Sequence, residues 1–214
     1  MGIKKEEHSL FYLYPGLKEL ENVIVAKIHD EKEYAKWSIF EKEIQNDLRK
    51  SVIGTTYGQA PSFSSFVEIE KHVIENITLT KELHFFVSLI GPYYTVVGQD
   101  MSLIKIDSKN FSAANHLTLS PEEKYSDAFI FLCENIEKKF PDYRFVPFHI
   151  YGQSIEGLDV RYNDEHLSRI FHALFNNQVN FNVQHLGSEF YKHEQWIKEG
   201  YIDTGNKWTV YPPQ

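Results

Sequence analysis

Cysteine is almost missing from this 214-residue chain: Cys133 is the only one, so no intrachain disulfide and no Cys/His zinc pair can form. Arginine is nearly as scarce, with only Arg49, Arg144, Arg161 and Arg169, well separated along the sequence. Together with a net charge of −8, this argues against nonspecific binding to nucleic acid or to an anionic membrane, which both need a positive surface. Long apolar runs are absent as well. Leu10–Tyr14, closed by Pro15-Gly16, is too short for a signal-peptide core or a membrane span, so a cytoplasmic protein is expected. Gly2 opens a myristoylation-like start, but Glu6 stands where Ser or Thr is required.

The common catalytic signatures are missing too. Neither G-x-x-x-x-G-K-[ST] nor G-x-G-x-x-G occurs, which removes those two routes to nucleotide binding. Gly152-Gln153-Ser154-Ile155-Glu156-Gly157 is one residue too long for a nucleophile elbow, and an extended segment rather than a helix is expected after it. Ser154 therefore reads as a loop serine. Ten histidines invite a metal site, yet H-E-x-x-H is absent. His166 and His172 are expected on one helix, about 120° apart around its axis, where they cannot grip one ion. Glu189 and His193 read as a surface pair, and His185 as a hydrogen-bonded histidine at the core margin. Cys133 falls on an apolar stripe with no basic neighbour expected, which makes it a small hydrophobe. No catalytic residue, metal or cofactor is expected.

What is abundant is aromatic: 16 Phe, 13 Tyr and 3 Trp. Such side chains fill a core efficiently, and Tyr also serves surfaces where one end stays wet. Charge is even along the chain. Residues 1–107 carry 12 Lys+Arg and 16 Asp+Glu, residues 108–214 carry 10 and 14, and no Pro/Gly/Ser-rich linker divides them. One domain over residues 1–214 is expected.

Periodicity supplies the elements. Leu10–Tyr14 and the β-branched Asn22–His29 read as strands; Asp30 caps a helix over Glu31–Lys50 whose apolar stripe includes Tyr34, Trp37, Ile44 and Leu48. Gly54–Pro61 has loop chemistry. Ser62–Ile69, Ile74–Thr80, Leu83–Ile90, Tyr93–Val97 and Met101–Ile106 read as strands, with a short helix as the alternative for Ile74–Thr80 and the last three as a meander around Gly91-Pro92. Leu83–Ile90 is nearly all apolar, as in a central strand covered on both faces. Ser120-Pro121-Glu122-Glu123 has the form of a capping box, opening a helix with Tyr125, Phe129, Leu132, Cys133, Ile136 and Phe140 on one stripe. Beyond Pro141, the pattern predicts a strand over Tyr143–Tyr151, with Pro147 at an edge or bulge. A helix over Asp164–Asn176, a strand over Val179–Leu186, a helix from Ser188 to Glu199 and a strand over Lys207–Tyr211 complete the series. Strands in runs, with helices between the groups, predict an α+β fold: a largely antiparallel sheet with about four amphipathic helices mainly on one face.

The functional expectation follows from these absences and from charge. The chain reads as a non-enzymatic, protein-binding module, in concrete form an immunity- or antitoxin-like partner of a basic protein. The alternative is a small-molecule binder or enzyme with an aromatic-lined pocket. Tyr57 in the polar loop, and Tyr93 and Tyr94 after the Gly91-Pro92 turn, are the candidate contact residues, although one of that pair can equally face the core. A homo-oligomer is compatible with the same pattern.

Overall fold

The computed structural model describes residues 13–107, 109–162 and 165–197, together with the backbone of 202–203 and 208–209. It is a mixed α+β structure around a seven-stranded, mostly antiparallel sheet. The chain opens with α1 (Lys18–Ile28) and α2 (Glu31–Leu48), then enters β1 (Val52–Gly54), β2 (Ser62–Ile74), β3 (Ile77–Ser88), β4 (Tyr93–Ile106) and β5 (Lys109–Thr118). Next come α3 (Ser126–Lys139), β6 (Arg144–Phe145), α4 (Phe148–Tyr151), β7 (Val160–Tyr162) and β8 (Glu165–Leu167). The remaining elements are α5 (Ile170–Leu174), β9 (Gln184–Leu186), α6 (Glu194–Ile197), β10 (Ile202–Asp203) and β11 (Trp208–Thr209). In the main sheet β1 to β5 lie in sequence order, β9 joins β5 and β6 joins β4, these last two in parallel.

The meander is longer and simpler than periodicity suggested. Ser62–Ile69 runs on to Ile74, and the turn at Glu75-Asn76 separates it from β3, with Glu75 left-handed at φ 54°. Tyr93–Val97 and Met101–Ile106 are one strand, interrupted only by a register shift against β5 at Asp100/Met101. The central β3 is covered on both faces. Phe85 packs against Trp37 and Phe40 of α2 at ring separations of 5.5 and 6.1 Å, in a core that also takes Phe129, Leu132 and Ile136 of α3. Its neighbour Phe86 points the other way, 5.2 Å from Phe171 and 5.8 Å from Phe175. Burying each such ring contributes on the order of 2–3 kcal/mol.

Several local expectations are overturned, each by a nameable competitor. Asn22–His29 is not a strand but most of α1: Ile24 and Ile28, four apart, are buried while Val23 and Val25 face out. Tertiary burial of a helical stripe outweighs β-branched propensity there. Of Leu10–Tyr14 only Leu13 and Tyr14 are described. Both are buried in a turn, with Tyr14 donating from its hydroxyl to the Ala173 carbonyl. Asp30 does cap α2, its Oδ1 accepting from Lys32 and Glu33 N–H at 2.9 and 3.1 Å. Arg49, at φ 52°, ends it.

The capping box does not form. Ser120 Oγ accepts from Ser188 N–H at 2.8 Å, and α3 begins six residues later, behind a 3₁₀ turn over Glu123–Tyr125. Gly187, at φ 86°, makes that approach feasible, since a Cβ there would lie 2.4 Å from Ser120 Oγ.

Tyr143–Tyr151 pairs only through Arg144 and Phe145, and Pro147 then precedes α4. The helix expected over Asp164–Asn176 gives way to the β7–β8 hairpin and the short α5. Ile155 N–H bonds the Ser168 carbonyl, Ile170 N–H bonds that of Gln153, and Ser154 bridges Arg169, so the backbone of 168–170 is spent across the loop.

In Val179–Leu186 only the last three residues pair. Asn180 Oδ1 accepts from Asn182 N–H at 2.9 Å, and Asn180 N–H donates to Gln99, so side chains outcompete a ladder. The helix expected from Ser188 to Glu199 is a series of turns ending in the four-residue α6; Glu199 itself lies outside the described residues. Of Lys207–Tyr211 the described pair Trp208–Thr209 is a strand, paired with β10.

Candidate functional site

Directly opposed residues of an antiparallel sheet share a face, so register alone defines rows that cross the strands. On the face beneath α2 and α3, the row Val67–Leu83–Gly98–Thr118 belongs to the core. The next row outward is Glu70–Lys81–Asp100–His116. Beyond it come His72–Leu79–Ser102–Ala113 and then Ile74–Ile77–Ile104–Phe111. A charged row therefore separates the packed half of the sheet from a bare half.

Asp100 is the node of the charged row. Its Oδ2 lies 2.5 Å from Lys81 Nζ and 3.2 Å from His116 Nε2, and its Oδ1 accepts from the Tyr125 hydroxyl at 2.5 Å. Burial and the Asp100 carboxylate together push the Tyr125 phenol far above its usual range, which keeps it a donor. The residue before it, Lys124, reaches Glu70 at 3.2 Å, and that bond draws the Glu70 carboxyl below its ordinary value. The turn that replaced the expected capping box thus clamps the row at two points. Gly98 leaves room for the clamp, because a Cβ there would lie 3.0 Å from two Tyr125 ring atoms and 2.9 Å from Thr118 Cβ.

A cleft of about 210 Å³ flanks the row, lined by Lys81, His116, Glu122, Glu123 and Tyr125 among others. His116 beside Asp100 has the form of a histidine–carboxylate dyad, which for nucleophilic catalysis requires a hydroxyl to activate. The nearby Ser120 hydroxyl is occupied with Ser188 and Glu122. Glu70, Lys81 and Asp100 set charges of alternating sign along the row, and His116 extends it.

Past the row the described helices give no cover. Every described residue of 71–80 and 101–116 is exposed or half-buried. Ile74 is 58% exposed, Phe111 52%, Ile106 52% and Leu79 37%, and all four lie on the face that carries the charged row. The outermost row is apolar across four strands, about 14 Å at ordinary strand spacing.

The tyrosines singled out from sequence occupy separate places. Tyr57, exposed in the loop after β1, lines a cleft of about 350 Å³ with Ile28, His29, Glu31, Tyr34, Thr56 and Gly58. Burial pushes its phenol up to about 12. Tyr93 stacks on Trp196 at 6.0 Å, and the Arg144 guanidinium covers the far ring. Tyr94 is buried; its hydroxyl donates to Glu137 at 2.6 Å, beside the Lys192 ammonium at 2.5 Å from the same carboxylate. Burial opposes ionisation of Glu137, but these bonds outweigh it and its carboxyl stays below the usual range. Tyr94 is thus the core-facing member of its pair.

The remaining candidates resolve individually. Cys133 is buried and its thiol is pushed up to about 12 by that burial, although Lys192, contrary to expectation, is a cation in its surroundings. Ser154 is exposed in its bridge to Arg169. His166 lies on β8, bonded to Asp159 at 2.9 Å, and not on a helix with His172. His172 sits in the core, where burial and Arg169 hold its imidazole down to about 4. His185 is half-buried against Phe148. Among the described residues no three His, Cys, Asp or Glu side chains converge on a metal-sized space, and no helix is long and apolar enough to cross a membrane.

The charged row was missed from sequence, yet it left a signal. Lys81 has the parity of Leu83, Phe85 and Val87, a charge on the core-facing side of a strand. No protein-family model, no curated protein and no solved structure matches the chain.

Proposed function

We propose that the chain is a protein-binding module whose docking surface is the bare half of its sheet. The observation that carries this reading is the four-strand apolar row Ile74–Ile77–Ile104–Phe111, with the charges of Glu70, Lys81 and Asp100 two rows inward on the same face. Apolar area flanked on one side by charge suits a protein interface, and a contiguous exposed apolar patch on a sheet marks an interaction site. The net charge of −8 makes a basic protein the favoured occupant, in the manner of an immunity-type partner docking on a basic toxin, with association accelerated at low salt. The test is affinity capture from the native lysate with wild-type and Leu79→Asp baits, at low and high salt. One partner should be retained by the wild type, weakened by salt and lost with the exposed-site variant. A partner held equally by both baits would remove the sheet from the account.

A second reading rests on the Tyr34–Tyr57 cleft, which has aromatic walls and the Glu31 carboxylate and is large enough for a small organic molecule. It predicts that some metabolite raises the melting temperature and that Tyr57→Ala abolishes the shift.

A further inference from the structure

Among the described residues, the bare half of the sheet has two unpaired edges. β1 pairs β2 only at Ser65–Val67, and with the Ile69 carbonyl taken by Lys50 Nζ this leaves β2 open over residues 70–74; β9 pairs β5 only at His116–Thr118, leaving β5 open over residues 109–115. An open edge offers a row of backbone donors and acceptors to any strand that can approach, and folded proteins usually blunt it with charge, proline or a bulge. The β2 edge is blunted in this way: it carries Glu68, Glu70, Lys71 and His72, with a register shift between Glu68 and Glu70. The β5 edge is not. In a chain of net charge −8, Lys109-Asn110-Phe111-Ser112-Ala113-Ala114-Asn115 contains no acidic residue and a single cation at its far end.

We propose that β5 pairs antiparallel with β5 of a second copy of this chain, about a two-fold axis at Ser112. That register sets Phe111 opposite Ala113, Asn110 opposite Ala114 and Lys109 opposite Asn115, so no like charges face each other. The same operation at the β2 edge, centred on Lys71, would bring two lysines together. Pairing β2 with β5 of the next copy would leave a free edge at each end and grow a filament. The β5 pair closes without opposing like charges. Because directly opposed residues share a face, the two apolar rows then become continuous, with one Phe111 ring on either side of the axis.

The experiment is sedimentation equilibrium of the full chain at tens of micromolar, with Ser112→Glu, Ser112→Lys and a Val73→Glu control. Ser112 and Val73 are both exposed, and circular dichroism with thermal melting verifies that each variant folds. The wild type and Val73→Glu should sediment at twice the 25.1 kDa chain mass. Ser112→Glu and Ser112→Lys should each be monomeric, with dissociation constants raised at least tenfold, because each places like charges across the axis. An equimolar mixture of the two should recover the dimer. A monomeric wild type overturns the proposal. So does a dimer that survives Ser112→Glu, an open-ended polymer, or a mixture that stays monomeric. A monomeric result leaves the hetero-partner reading intact, since that reading is probed at Leu79 on a different strand.

Discussion

Replacing Asp100 by Asn keeps the size of the side chain and removes the charge on which Lys81, His116 and Tyr125 converge. The amide has one acceptor oxygen where the carboxylate had two. Turned one way, its NH2 group meets Lys81 Nζ; turned the other, it meets the Tyr125 hydroxyl. At least one charge-assisted hydrogen bond is lost, each worth roughly 1.5–3 kcal/mol. Lys81 retains some access to water, so its stranded charge adds little, and a total near 2–3 kcal/mol is expected. For a chain of this length that corresponds to a melting temperature lower by about 4–12 °C. Urea unfolding followed by the fluorescence of buried Trp37 measures it, and an unchanged slope against denaturant identifies the loss as stability rather than altered compactness. Tyr125→Phe alone, and combined with Asp100→Asn, completes a cycle that should show coupling above about 0.5 kcal/mol. If Asp100→Asn stays within about 0.5 kcal/mol of wild type, it behaves as an ordinary surface residue, and the fixed charged row is refuted.

Other consequences are equally direct. Gly98→Ala forces the Tyr125 ring off the sheet and should cost about 1–3 kcal/mol, read by the same urea titration. Phe86→Ala empties the second face of the core and should cost roughly 3–5 kcal/mol, which thermal or chemical unfolding will register. His172 is held neutral down to about pH 4 in the fold but binds a proton near its ordinary value of 6.5 when unfolded, so the unfolded state gains the proton first. Stability should therefore fall as pH drops from 6.5 towards 4, by up to about 1.4 kcal/mol per pH unit, and His172→Gln should flatten that limb of a stability–pH curve. Cys133 should resist a thiol reagent in the folded protein and react on unfolding; rapid labelling of the native state would contradict its burial.

Much of the meander and both long central helices were legible because their signals are redundant. Asp30, the Trp37–Ile44 stripe and the apolar run at 83–90 each point one way and nothing nearby competes. What sequence concealed was decided by distant partners. Val23 and Val25 favour a strand locally, but Ile24 and Ile28 are claimed by the core. Ser120 has the spacing of a cap, but Ser188, 68 residues away, takes its hydroxyl. Asp164–Asn176 has helical periodicity, but Ser154 and Gln153 claim the backbone beside Arg169. The charged row joins residues from four strands, and no spacing along one strand could reveal it. Tyr94, picked out beside the turn, has its hydroxyl bound to Glu137 inside the core.

Amide hydrogen exchange on the chain with and without the partner captured from its native lysate tests the docking surface most directly. The account predicts new protection over residues 71–80 and 101–107, where the sheet is bare, and little change in the segments around Tyr57 and Glu31. Protection confined to the Tyr34–Tyr57 cleft, with the bare strands exchanging as before, would contradict it.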